Sequence, residues 1–133
     1  MAILIDASVF CAYANFRDIH HKNSIKIMQD MESQKYGRSI TIDYVFDETV
    51  NVVARKHNKK SAIEIGEHIL NSEIFFAKVD ESVFKKAWKL FQDEKGFSFT
   101  DCTIIAFMET FGIYEIATFD KEFKKLKNIR VID

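Results

Sequence analysis

Proline is missing from the 133-residue sequence and glycine occurs only four times, so proline-rich linkers and cis-proline turns are excluded. Cysteine is nearly as scarce. Cys11 and Cys102 lie far apart, each in apolar sequence, which suits two reduced core thiols better than a disulfide or a zinc site. No apolar run approaches the roughly 20 residues that a bilayer-spanning helix needs. The opening Met1-Ala2-Ile3-Leu4-Ile5-Asp6 meets an acid too early for a secretory signal, and a soluble, cytoplasmic protein is expected. Charge of one sign is lacking too: 19 Lys and Arg stand against 20 Asp and Glu, a formal net charge of −1. That excludes a uniformly basic nucleic-acid coat, while an acidic site with a basic rim stays open.

What the chain does have is apolar mass. Hydrophobic residues make up 47% of it and aromatics 14%, with 13 Phe. A chain of this length buries roughly two-thirds of the surface its unfolded form exposes. Disorder and fibrous repeats are thereby excluded, and one domain over residues 1–133 is expected. Short apolar runs at Ala2–Ile5, Ser39–Asp43, Glu73–Lys78, Glu115–Thr118 and Ile129–Ile132 read as strands. Between them fall helical patterns. Ser8 is the expected N-cap of a helix through Val9, Phe10 and Tyr13, and a second helix is expected over Asn23–Tyr36 with Gly37 as its stop. Further helices are expected at Tyr44–Lys56, Ser61–Leu70, Asp80–Asp93, Asp101–Phe111 with Thr100 as cap, and Asp120–Leu126. The pattern in Asp80–Asp93 is the cleanest, with Phe84, Ala87, Trp88 and Phe91 along one stripe. Strands alternating with helices predict a three-layer α/β/α sandwich around a mainly parallel sheet of four to five strands.

In an open parallel sheet, ligands bind beyond the carboxyl ends of the strands. Asp6 ends the first strand, Asp43, Asp47 and Glu48 follow the second, Asp101 opens the buried helix, and Asp120 ends the fourth strand. Each acid alone has an ordinary use as a helix cap or a partner of the helix dipole. Gathered in a low-dielectric cleft, however, carboxylates raise one another's pKa and destabilise the fold unless a cation neutralises them. Hard oxygen donors of this kind suit Mg²⁺ or Mn²⁺ rather than zinc. Asp47 and Glu48 compete for one position, and helical spacing favours Glu48, which flanks the stripe of Val45 and Val52.

Four segments, Ile-Leu-Ile-Asp6-Ala-Ser8, Asp43-Tyr-Val-Phe-Asp-Glu48-Thr, Phe99-Thr100-Asp101-Cys and Thr118-Phe-Asp120, together resemble the acidic motifs of PIN-domain ribonucleases. The likeness is greatest to small VapC-type toxins, and it runs along the whole chain in order and spacing. It implies a PIN-like fold and a divalent-metal-dependent endoribonuclease that leaves 5′-phosphate and 3′-hydroxyl ends. Carried over position by position, it implies that Asp6, Glu48, Asp101 and Asp120 hold Mg²⁺ or Mn²⁺. Ser8 and Thr100 then supply neighbouring hydroxyls, with Thr118 in support. The same resemblance implies a homodimer and a protein antitoxin whose tail covers the acidic cleft.

RNA is expected to arrive along basic residues, the densest cluster being Arg55, Lys56, Lys59 and Lys60, with Lys121, Lys124, Lys125 and Lys127 as a second. His20, His21, His57 and His68 are all expected away from the strand ends, which argues against a paired-histidine ribonuclease. Glu64 and His68, four residues apart, read as a surface pair. Phe10, Tyr13, Phe16, Ile25 and Met28 exceed one amphipathic face and are candidates for a dimer or antitoxin surface. The main rival is a PIN-like module that binds RNA or processes it in a housekeeping role, without toxin activity or without catalysis. A haloacid-dehalogenase phosphatase needs Asp-x-Asp after strand one, where this chain has Ser8.

Overall fold

A computed structural model describes all residues, 1–133. Five strands form one sheet, β1 (Ala2–Ile5), β2 (Arg38–Ile42), β3 (Phe75–Ala77), β4 (Glu115–Ala117) and β5 (Arg130–Ile132), in the order β3-β2-β1-β4-β5. Every neighbouring pair is parallel. Each return between parallel strands therefore needs a crossover, and the helices supply it: α1 (Ala7–Ala14) and α2 (His21–Glu32), α3 (Asp43–Lys56) and α4 (Lys59–Asn71), then α5 (Glu81–Asp93) and α6 (Phe99–Phe111). With right-handed crossovers, the path β1 to β2 to β3 lays α1–α4 on one face, and the return to β4 lays α5 and α6 on the other. The expected three-layer α/β/α sandwich with a parallel sheet is the fold observed.

β1 is the middle strand. Ile3, Leu4 and Ile5 have no exposed surface, which is why this segment reads as an unbroken apolar run. It is also the point from which the chain turns one way to β2 and later the other way to β4. The register sets Ile5 beside Ala117, and the Asp6 amide donates to the Ala117 carbonyl at 3.0 Å. The residues just past β1 and β4 are thereby held side by side at the carboxyl edge of the sheet, the topological switch point where such folds open a crevice.

Several local expectations are corrected. The N-cap of α1 is Asp6, not Ser8, because Asp6 is the extended residue and its carboxylate accepts from Ala7. The N-cap of α6 is Ser98, not Thr100; Ser98 and Asp101 form a reciprocal capping box. α2 ends at Glu32 with Ser33 as its C-cap, four residues short of the expected end, because its last interior side chain is Met31. Gly37 serves β2 instead of the helix: at φ +81 it brings the chain against β1, where a Cβ would lie 2.4 Å from the Met1 carbonyl oxygen. The segment after β4 is a single 3₁₀ turn, Lys121–Lys125. On α5 only Val83 and Ala87 are fully interior, whereas Phe84, Trp88 and Phe91 keep 43%, 51% and 41% of their surface exposed. Of the five candidate surface residues on the early helices, Phe10 and Met28 lie in the core, and Phe16 and Ile25 are exposed.

Candidate active site

Beyond the carboxyl ends of β1 and β4 lies a hollow of about 290 Å³ lined by Asp6, Glu48, Asp101 and Asp120, together with Ser8, Cys11, Asp18, His20, Lys56 and Phe119. Four separate segments deliver the first four side chains. Asp6 follows β1, Glu48 stands one turn into α3, Asp101 is the third residue of α6, and Asp120 follows β4. A second cleft, about 580 Å³, lies between α2 and α4 near the start of β2 and contains Glu64 and His68. It is larger, but it stands away from the carboxyl edge of the sheet and gathers no acids from the strand ends.

Asp6 is only 4% exposed. One of its oxygens accepts the Ala7 amide at 2.7 Å, and the other accepts hydroxyl protons from Thr118 at 2.7 Å and Ser8 at 3.0 Å. Burial nevertheless pushes its pKa up, and the charge of Asp120 adds to the rise, so those hydrogen bonds offset the desolvation only in part. The two hydroxyls also accept from the opposite loop: Ser8 from the Phe119 amide and Thr118 from the Asp120 amide, each at 3.0 Å. Ser8 and Thr118 thus lock the segment after β4 onto Asp6. Thr118 is fully buried in this role.

Glu48 makes no hydrogen bond in the structure. Burial raises its pKa to about 7, with further contributions from Asp6, Asp101, Asp120 and Asp47. Asp47, the rival for this position, is exposed and bonds Asn51 at 3.1 Å. Asp43 accepts the Tyr44 and Val79 amides and ties α3 to the β3–α5 connection. Asp101 rises to about 6, again from burial first, against the lowering effect of the Ser98 amide its Oδ2 accepts. Asp120 spends Oδ1 on the Glu122 amide. The same acidic neighbours act on each of these groups. Asp6, Glu48 and Asp101 feel one another or Asp120, which is the electrostatic signature of a shared field.

Thr100 does not line the hollow; its carbonyl accepts the Thr103 hydroxyl at 2.6 Å. Of the cluster Arg55, Lys56, Lys59 and Lys60, only Lys56 reaches the hollow, and Lys59 borders a separate cleft between α3 and α4. In the second cluster, Lys124 pairs with Asp133 at 2.7 Å and Lys125 with Glu122 at 2.9 Å. His21 bonds the Ala12 carbonyl, and His68 packs at a tilt against Tyr13. His20 contradicts the expected placement, since the loop after α1 folds back and sets it in the wall of the hollow. Asp18, Phe119 and Cys11, whose thiol is pushed up to about 12 by burial, are likewise site-lining residues that periodicity could not reveal. The one available signal was the turn chemistry of Asn15 and Asp18.

The donor set is chemically suited to a hard divalent cation. No three carboxylate, thiol or imidazole groups stand close enough to hold one ion by themselves. That spacing still fits Mg²⁺-type binding, which keeps several waters and takes only one or two carboxylates directly.

Comparison with known proteins places the chain in a family. The sequence matches the family described as PIN domain over residues 3–129. A VapC ribonuclease of Archaeoglobus fulgidus is 32% identical over 105 residues, 76% of this chain and 66% of that relative. The 23S rRNA-specific endonuclease VapC20 of Mycobacterium tuberculosis is 25% identical over 123 residues, 91% of each chain. Its crystal structure, described as a sarcin-ricin loop cleaving toxin, superposes with a TM-score of 0.82 at 24% identity, covering 92% of both chains. VapBC2 of Rickettsia felis, bound to a promoter DNA fragment, matches at a TM-score of 0.70 and 14% identity over 99% of this chain and 98% of that one.

Proposed function

Because the chain belongs to the PIN-domain family, we propose that it hydrolyses RNA phosphodiester bonds as a divalent-metal-dependent endoribonuclease, the toxin of a toxin–antitoxin pair. One observation carries the reading: carboxylates from four separate segments line a single hollow, where burial and acidic neighbours push Asp6, Glu48 and Asp101 up. The ribonuclease names of the relatives in Archaeoglobus and Mycobacterium support it.

Asp6, Glu48, Asp101 and Asp120 would hold Mg²⁺ or Mn²⁺. When bound there, such an ion supplies Lewis-acid stabilisation of phosphate charge and lowers the pKa of the attacking water. The chain's own residues do the rest. Glu48, with no hydrogen bond to lose, orients the water for in-line attack or takes its proton. Attack on phosphorus expels the 3′-oxygen, giving 5′-phosphate and 3′-hydroxyl ends. Ser8 and Thr118 are positioning residues that fix the Asp6 carboxylate and the Asp120 backbone in one geometry. Lys56 at the rim offsets the phosphate charge as RNA enters.

A protein antitoxin is the proposed partner, on the example of the Rickettsia VapBC2 complex. A homodimer is proposed through α5, not the early helices, since the exposed Phe84, Trp88 and Phe91 form one aromatic cluster with the partly buried Tyr44 and Phe99. Its flanking lysines, Lys85 and Lys86, are already paired with Glu81 and Glu109. A two-fold axis there buries the same apolar patch twice.

The test is cleavage of mixed single-stranded RNA with and without Mn²⁺, by wild type and by Glu48→Gln and Asp6→Asn. Metal-dependent cutting lost in both variants is expected. Cutting by Glu48→Gln at the wild-type rate would remove the assigned site, and RNA binding without cutting by wild type would favour the non-catalytic rival.

A further inference from the structure

We infer that the loop joining α1 to α2, residues 15–20, together with Phe119, is the nucleobase-reading wall of the site, stacking a single-stranded base next to the scissile phosphate. The inference rests on the ribonuclease reading above. The loop is ordered by its own turn chemistry. Asn15 accepts the Arg17 amide on its side chain and the Asp18 amide on its carbonyl, and Asp18 does the same for His20 and His21. Two successive Asx-type turns of this kind hold a short loop in one shape without a hydrophobic core beneath it.

That shape divides the loop's side chains. Asp18 and His20 face the acidic hollow. Phe16 and Ile19 point outward, 76% and 91% exposed, with the Arg17 guanidinium 5.5 Å from the Phe16 ring centre. On the inner side, His20 lies flat on Phe119, with ring centres 4.3 Å apart and planes 7° from parallel. Both rings line the hollow, and Phe119 directly precedes Asp120. A flat aromatic stack with one covered face leaves the other face of His20 for a third ring. Such surfaces accept any base, because every base has a π-face. Lys56 is the cation that lines the hollow beside this wall, placed for a phosphate next to the stacked base. A second copy of the chain or a peptide would also bury Phe16 and Ile19, but neither requires the His20–Phe119 stack to open onto the acids. An unpaired base whose phosphate enters the hollow does.

The experiment uses an RNA oligonucleotide carrying 2-aminopurine, bound to the Asp6→Asn protein so that nothing is cut. Stacking quenches the probe. Quenching on binding is expected, with affinity about tenfold weaker in His20→Ala and restored in His20→Phe, which keeps the flat ring. In cleavage by otherwise wild-type protein, His20→Ala raises KM for single-stranded RNA while kcat changes little. An abasic nucleotide beside the cut site reproduces that rise in wild type. Unchanged quenching and affinity in His20→Ala overturn the inference even if the enzyme cuts RNA. Quenching that follows the ring in a protein that cuts nothing upholds the wall and overturns the nuclease reading instead. A shift of Phe16→Ala from dimer to monomer in size-exclusion chromatography, with quenching unaltered, assigns the loop to a contact between copies and overturns it.

Discussion

Glu48→Gln is expected to stabilise the metal-free protein. The substitution keeps shape and volume, and it removes a charge whose carboxylate accepts no hydrogen bond in the fold. Moving the group from an ordinary 4.5 to about 7 corresponds at full weight to about 3 kcal/mol. Glu48 is only partly buried, so solvent screening cuts this to about 1 kcal/mol. The sign follows from proton linkage. A carboxyl whose folded pKa is raised binds more protons folded than unfolded, so the wild type loses stability as pH rises from about 4.5 to about 7. Glu48→Gln lacks that loss. Chemical denaturation in EDTA should show the variant about 1 kcal/mol more stable than wild type at pH 8 and level with it at pH 4. Adding Mn²⁺ should reverse the order, since the cation relieves repulsion that only the wild type has in full. A Glu48→Gln protein less stable than wild type at pH 8 in EDTA, or equally stabilised at both pH values, would refute the shared-field argument.

The same shifts set the pH dependence of activity. Glu48 near 7 and Asp101 near 6 must ionise to hold a cation, so kcat/KM at low Mn²⁺ should rise from about pH 5 to about pH 8 and level above it. Higher Mn²⁺ should shift the rising limb to lower pH, and a flat profile from pH 5 to 8 would contradict both assignments. Thr118→Val should cost about 1–3 kcal/mol in denaturant melts and lower cleavage, because the Asp6 oxygen and the Asp120 amide each lose a buried partner. Thr118→Ser should recover most of both. Trp88→Asp should convert a dimer to a monomer in size-exclusion chromatography; an unchanged elution volume would exclude α5 as the contact.

What the sequence disclosed followed from how locally each signal is encoded. The strands of a buried parallel sheet must be apolar on both faces, so Ala2–Ile5 announces itself, and the acids at strand ends follow from the switch-point rule. The caps were misread where two acceptable cap residues lie within two positions. Asp6 outcompetes Ser8, and Ser98 outcompetes Thr100, because in both cases the backbone turn comes two residues earlier. The basic run was misread for a different reason. Arg55 and Lys56 are neighbours in sequence but about 100° apart around α3, so one reaches the hollow and the other does not. The α5 stripe was legible as a helix, but whether an apolar stripe faces the core or an outside partner is not encoded in its period. His20 depended on a loop folding back, which no periodicity records.

The hydrogen bonds of the acidic hollow show why its carboxylates are not accounted for by capping alone. Asp6, Asp101 and Asp120 each spend an oxygen on a backbone amide at the start of a helix or turn. Capping rewards a charged carboxylate and lowers its pKa. At Asp6 and Asp101 the balance runs the other way: burial and the neighbouring acids outweigh the amides, and both groups are pushed up. Asn or Ser would cap the same helices with no such electrostatic cost. Glu48 caps nothing and still faces the hollow, where burial and the charges of Asp6, Asp101 and Asp120 are the largest influences on it. A fold that places an uncapping, unpaired carboxylate among three capping ones carries a penalty at neutral pH of the kind that a proton or a bound cation relieves.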